Sequence, residues 1–205
     1  MFVSQRNLLI DGLTLIGLVF ISLLGDCLCF GRPLSYYVFS NTYLRAVTDN
    51  FTHGLISVLA TSFLFGWTRR YLLIFAFIAG SFVDIDHFIE VRSLSLHRAL
   101  YDQPRGRPFL HNSLVLSIIT VMLFILEHFF LRYQHISYSL IFFLGWSTHH
   151  LRDAQRRGLT FLPIGETPPI EYYLPIMCFV LVTMKLYQIL FLTRTSTTSV
   201  NFSIV

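Results

Sequence analysis

Charge is what this 205-residue sequence has least of. Asp, Glu, Lys and Arg make up 13% of it, about half the ~25% of ordinary soluble domains. With 54% hydrophobic residues, 21 Phe and a mean hydropathy of +0.63, it is too apolar for a soluble fold of this size and is expected to be a multi-pass membrane protein. Cysteine is equally sparse. Cys27, Cys29 and Cys178 form an odd set with no disulfide framework, and Cys-Leu-Cys is the wrong spacing for a zinc knuckle, so they read as buried thiols. The net charge is a modest +4 with the Arg residues spread over loops, and there is no basic nucleic-acid arm and no low-complexity tail. The alternating ~10-residue segments of a membrane barrel are also missing, which leaves helices as the spanning form. The N-terminal stretch lacks a cleavage signature. Arg6 and the apolar Leu13–Leu24 are followed by Asp26 and Cys27 where small residues would favour cleavage, so a retained helix is expected.

What is present is a series of apolar stretches near 8–30, 51–67, 71–89, 110–130, 136–153 and 171–192. The expected fold class is all-α: a single integral membrane domain of about six transmembrane helices, in contact with the lipid bilayer, with a polar His/Asp cluster at one face. A span needs ~20 residues, and the second, third and fifth stretches reach that length only by taking polar ends into the membrane. Ionisable groups at that depth usually face the protein interior or a wet cavity. Threading six spans from a near side brings Asp26, Asp49 and His53, Asp84 to His87, His111, and His149 to Asp153 all to the far face. The far-side loops, including 92–107 and 152–157, carry nine Arg and the near side five, which by the positive-inside rule makes the far side cytoplasmic. Lys185 and Asp11 lie at similar depth and are expected to form a structural ion pair. Trp67 and Trp146 suit an interfacial belt.

The motifs at the far face share one kind of chemistry. In Gly145-Trp-Ser-Thr-His149-His150-Leu-Arg-Asp153, His149 and Asp153 are four residues apart and share a helical face. Asp49-x3-His53 repeats that spacing in reverse order. Asp84-Ile-Asp86-His87 offers three ligand atoms within a turn, and Arg107-Pro-Phe-Leu-His111-Asn-Ser opens the fourth stretch. Histidines and carboxylates from separate helices are what a zinc, manganese or iron site requires. The candidate ligands are Asp49, His53, Asp84, His87, His111, His149 and Asp153. Asp86 and Asp153 are the candidate proton-transfer carboxylates, and Arg107 is placed to reach a phosphate.

The order of these residues resembles a bacterial inner-membrane family of LexA-binding, metal-dependent hydrolases. That family's pattern runs from an early helical His through Asp-x-Asp-His and an Arg near Thr-His-Ser to Ser-His-x3-Asp and Gly. The matching positions here are His53, Asp84 with Asp86 and His87, Arg107 with His111 and Ser113, and His149, Asp153 and Gly158, over about residues 45 to 170. Leu110 stands in place of Thr, Asn112 is inserted, and a loop at 91–106 separates the two central motifs. The resemblance implies a membrane-embedded hydrolase holding a divalent metal and acting on a lipid or amphipathic ester or phosphoester. Two rival readings stay open. One is a non-catalytic assembly or binding protein with a structural metal or polar cluster. The other is a metal or proton transporter, which is weakened by the collection of polar groups at one face instead of the midplane. Neither reading fixes an oligomeric state.

Overall fold

The computed structural model describes residues 5–31, 40–102, 107–130 and 138–201, with side chains from 8 to 190. Arg105, Arg132, His135 and the start of the fifth apolar stretch lie outside the described residues. The described chain is almost entirely helical. The long helices are α1 Gln5–Phe30, α2 Thr42–Phe65, α3 Arg70–Phe82, α6 Ser113–Phe130, α7 Tyr138–Arg157 and α8 Tyr173–Asn201. After α3 come a 3₁₀ turn at Val83–Ile85 and the short helices α4 Asp86–Glu90 and α5 Leu96–Tyr101. A second 3₁₀ turn, Phe109–His111, precedes α6, and a two-stranded antiparallel hairpin, β1 Thr160–Phe161 with β2 Gly165–Glu166, follows α7.

Local chemistry sets the ends of these helices. The Asn41 side chain accepts hydrogen bonds from the backbone N–H groups of Tyr43 and Leu44 at 2.9 and 3.1 Å, so α2 starts well before its apolar part and includes Asp49 and Asn50. Ahead of α6, Pro108 and the extended Asn112 break the helix, and the Asn112 side chain accepts from the Leu114 N–H. Glu127, near the end of α6, receives the N–H groups of Tyr138 and Ser139, neutralising the start of α7.

Among the described residues, four helices are long and apolar enough to cross a membrane: Leu8–Phe30, Arg70–Glu90 (α3 through α4), Ser113–Phe130 and Tyr173–Leu190. The expected six is therefore not reached by hydropathy, because α2 and α7 are too polar. Those two form the centre of the molecule. Helix α2 packs against α1, α3, α7 and α8, and α7 against α2, α3, α6 and α8. One apolar cluster joins Leu18, Ile56, Phe63, Leu144 and Met177 between α1, α2, α7 and α8. A second joins Val83, Leu110, Leu116 and Trp146. Trp146 is thus a core residue bonded through its indole N–H to Thr120, not the interfacial anchor expected of it, whereas Trp67 is exposed and donates to Thr14.

Helices α2, α3 and α7 meet almost backbone to backbone. A Cβ on Gly80 would come within 2.0 Å of Ser57 Oγ, and one on Gly145 within 2.6 Å of the Ala79 Cβ. Small residues allow this approach between membrane helices. Ser57 and Thr148 fill the contact with hydroxyls 3.1 Å apart. At the opposite end of the bundle the expected Lys185–Asp11 pair forms at 3.0 Å, and Lys185 also donates to the Phe63 carbonyl.

Candidate functional site

One turn beyond that glycine contact, α2, the α3–α4 junction, the turn before α6, and α7 each deliver polar side chains to one point. His149 lies on α7 with its ring fully buried, and its Nδ1 sits 2.9 Å from the Gly80 carbonyl. A carbonyl only accepts, so Nδ1 carries the proton and Nε2 presents a lone pair. That Nε2 is buried with no hydrogen-bond partner. It lies 3.6 Å from Asp84 Oδ1 and 3.9 Å from Asp153 Oδ2. His111 is arranged in the same way, with Nδ1 3.1 Å from the Asp86 carboxylate and Nε2 3.5 Å from Asp84 Oδ1 and 3.7 Å from Asp153 Oδ2.

Four donor atoms, Asp84 Oδ1, His111 Nε2, Asp153 Oδ2 and His149 Nε2, therefore form a ring with edges of 3.5, 3.7, 3.9 and 3.6 Å. These gaps exceed the ~3.2 Å limit of an N–H···O hydrogen bond and are too narrow for an intervening water. Asp84, His111 and His149 offer ligand atoms within 4.8 Å of one another, as do His53, His149 and Asp153, and the ring's gaps are a few tenths of an ångström above the roughly 3.3–3.4 Å spacing of neighbouring ligands around an ion with ~2.0–2.1 Å bonds. The mixed imidazole and carboxylate donors, together with the orphaned His149 nitrogen, fit a divalent cation.

The remaining expected residues take surrounding positions. His53 stacks on His149 with ring centroids 3.7 Å apart and places Nε2 3.4 Å from Asp153 Oδ1, but the Arg152 guanidinium 3.2 Å away only donates and so occupies that nitrogen's lone pair. His87 Nε2 is 3.8 Å from Asp84 Oδ1, on the more open side of the cluster. Asp49 is drawn instead into ion pairs with Arg152 and Arg156. Asp86, expected to move protons, has no exposed surface. Its Oδ2 accepts from the Leu110 N–H at 2.7 Å and faces His111, so it stands behind a histidine and away from solvent. Arg107, expected at a phosphate, donates to the Gly158 carbonyl at 2.9 Å, pinning the end of α7 to the turn before α6. Burial pushes its guanidinium pKa down.

His111 lies in the turn outside the apolar spans. Burial disfavours its charged form, but the carboxylates at its two nitrogens, Asp84 and Asp86, outweigh that and raise its pKa from 6.5 to about 10.

Several contributors were not expected from the sequence. Asn50 donates to Asp84 Oδ2 at 2.8 Å and to the Ser81 carbonyl at 3.0 Å, fixing the carboxylate that faces three histidines. Arg152, taken as a loop charge, lies within α7 and is 1% exposed. Its Nε and Nη2 are both 3.0 Å from Asp26 Oδ1 on α1, and its Nη1 bonds Asp49 and lies 3.2 Å from His53 Nε2. Tyr173 on α8 donates to the other Asp26 oxygen. His150 is fully engaged, with Nε2 2.9 Å from the Leu110 carbonyl and Nδ1 2.8 Å from the Ser113 hydroxyl.

The sequence is 37% identical over 166 residues to Transmembrane protein 267 of Mus musculus, covering 78% of this chain and 74% of the mouse protein. It is 34% identical over 168 residues to Transmembrane protein 267 of Bos taurus, covering 80% and 75%. The chain belongs to the Transmembrane protein 267 family. The Xenopus laevis member is similar at 31% identity over 142 residues. No family model matches the chain, and no solved structure matches it. The names of these relatives, with four apolar helices of spanning length, establish an integral membrane protein.

Proposed function

We propose that this protein holds a divalent metal ion at Asp84, His111, His149 and Asp153 and acts as a metal-dependent hydrolase on a lipid or amphipathic ester or phosphoester. The observation that carries the reading is the donor ring, whose 3.5–3.9 Å edges are close to the ligand spacing around a bound cation and which includes a buried His149 Nε2 without a hydrogen-bond partner. Gly80 and Asp86 set the tautomers of the two histidines by accepting from Nδ1, the arrangement that orients and strengthens imidazole ligands. Asp84 and Asp153 are 25% and 19% exposed while His149 is sealed, so approach from outside is on the carboxylate side. An ion bound there supplies Lewis acidity toward water and toward an ester or phosphoryl oxygen. His87, half-buried beside Asp84, is the nearest group able to take or return a proton at that opening. Asp86 acts as a positioning residue through His111. The resemblance of the motif order to the bacterial membrane hydrolases supports the reaction class.

Purified in detergent without chelator, the protein is expected to carry close to one zinc, manganese or iron ion per chain by elemental analysis. A preparation that stays metal-free after incubation with each ion overturns the reading. Because His111 titrates near 10, it is protonated at neutral pH when the site is empty, and a metal must displace that proton. Affinity should therefore increase as pH rises toward 10 and fall on acidification. Calorimetry in buffers of different ionisation enthalpy should show about one proton released per ion; no proton release would remove His111 from the ligand set.

We also propose six spans, with the far side cytoplasmic on the arginine balance of the loops. Helices α2 and α7, of 24 and 20 residues, are long enough at ~1.5 Å per residue to cross a ~30 Å hydrocarbon core. Their polar groups, including His53, Ser57, Thr61, Thr148 and Arg152, are buried against other helices and do not meet lipid. Single cysteines at the exposed Ser40 and Thr68, which bracket α2, should label from opposite sides of a sealed membrane. Labelling of both from one side would mean that α2 does not cross.

A further inference from the structure

Beside the cluster, a cavity of about 690 Å³ runs between α2, α3 and the α4–α5 hairpin. This is within the ~300–1,000 Å³ of typical ligand sites. Its walls are almost wholly apolar, and its polar groups gather at one end, where Asp84 and His87 line it beside Asn50 and Ser81. Asn50 and Ser81 are occupied in bonding each other's strand of helix and Asp84, so the polar end presents mainly the Asp84 carboxylate and the His87 ring. The opposite rim is open to the outside of the bundle. Val47, Phe51, Ile78 and Leu94 line the cavity and are respectively 57, 53, 54 and 94% exposed. Ile78 lies on the Arg70–Glu90 helix, whose length and composition suit a membrane span, and Phe51 lines the same cavity from α2.

The position along that span is informative. Asp84 lies 14 residues from Arg70, about 21 Å along the helix at ~1.5 Å per residue, and so about a turn and a half inside the end of the span at Glu90. Asp84 and His87 therefore sit near one end of that span, and the exposed Ile78 on the cavity's rim lies deeper along it.

We infer that this groove seats one acyl chain of a membrane lipid, which enters laterally between α2 and α3 and brings its ester or phosphoryl oxygen to Asp84 and His87. The inference rests on the metal reading for the chemistry at the polar end, and on the groove alone for the chain. An amphiphile is the one ligand class that matches an apolar wall open to lipid and a single polar terminus. A water-soluble ester would have to expose that wall to no benefit, and a helix from another protein would leave the polar terminus unused.

The test uses the full-length protein in phosphatidylcholine vesicles that contain a trace of phosphatidylcholine with a photoactivatable diazirine in one acyl chain. Crosslinked peptides should map to α2, α3 and α5 around Val47, Phe77 and Leu96, and excess palmitoyl lysophosphatidylcholine should suppress them. Ala46→Trp fills the groove from α2 without touching a proposed ligand, and should abolish this labelling while metal content and thermal transition stay at the wild-type level. Should Ala46→Trp fold poorly, the competition on the wild-type protein still decides. Labelling spread evenly over the outer faces of α1, α6 and α8, or groove labelling that the lysolipid does not suppress, overturns the lipid seat. Metal-free protein that labels the groove fully upholds the seat and overturns the metal reading. Metal-replete protein with no groove labelling overturns the seat alone.

Discussion

Replacing His149 by Ala is expected to abolish the proposed binding of a divalent ion to the purified protein. His149 Nε2 is the one ring nitrogen of the donor set that is both buried and without a hydrogen-bond partner, and its tautomer is fixed by the Gly80 carbonyl. Removing it opens the ring of donors between Asp84 and Asp153. Because the ring is also core, the loss of its bond to Gly80 is expected to cost about 1–3 kcal/mol of stability independently of metal. Asp84→Asn separates the two effects. It keeps volume and the Asn50 contact but turns a carboxylate facing three histidines into a neutral amide, a poor ligand for zinc-like ions. It should lose the metal with little loss of packing. Asp86→Asn should weaken binding by about 10–100-fold, the usual scale for a group that orients a ligand. Asp49→Asn should leave metal content unchanged, since Asp49 is committed to arginines. Elemental analysis of the four proteins checks this gradient. Equal metal content in His149→Ala and wild type would reduce the cluster to a buried polar network.

The i, i+4 spacing of His149 and Asp153 was legible because it belongs to one helix, and the structure keeps that spacing at 3.9 Å. The gathering of Asp84, His111 and His149 was legible only at the level of which membrane face each helix end reaches. The inner shell was not. Whether Asp86 faces solvent or His111 depends on the 3₁₀ turn at Val83–Ile85 and on a hydrogen bond to Leu110, 24 residues away. Asn50 looks like part of a glycosylation sequon in the sequence, yet its amide is turned inward onto Asp84. Hydropathy found α1, α3, α6 and α8 because their outer faces meet lipid. It undercounts α2 and α7 for a physical reason: a helix enclosed by other helices is free to carry Asp, His and Arg where partners exist. The same error turned Arg152 and Arg156 into loop charges, when α7 in fact continues to Arg157.

Arg152 carries the second large expected effect. Its guanidinium is the only described contact that bonds α1 through Asp26 and α2 through Asp49 at once, and Tyr173 of α8 closes the network on Asp26. Asp26 is 3% exposed, so its charge depends on this cation, whereas Asp49 is 20% exposed and keeps its pair with Arg156. Arg152→Met keeps the aliphatic part of the side chain but leaves the buried Asp26 carboxylate without its cation, an imbalance that costs on the order of 3–5 kcal/mol. That is a large part of the ~5–15 kcal/mol that holds a typical domain together. The variant should aggregate on solubilisation or melt far below wild type. Arg152→Lys should recover little, because a single ammonium cannot reproduce the forked contacts to two carboxylates. Asp26→Asn combined with Arg152→Met removes the stranded charge and should restore much of the loss, a sign that the cost lies in unpaired charge and not in lost packing. The measurement is the thermal transition and the monodisperse fraction of each protein in one detergent. An Arg152→Met protein as stable as wild type would show that water or lipid headgroups reach Asp26, and that α1 is held to the bundle by its apolar contacts and the Tyr173 bond.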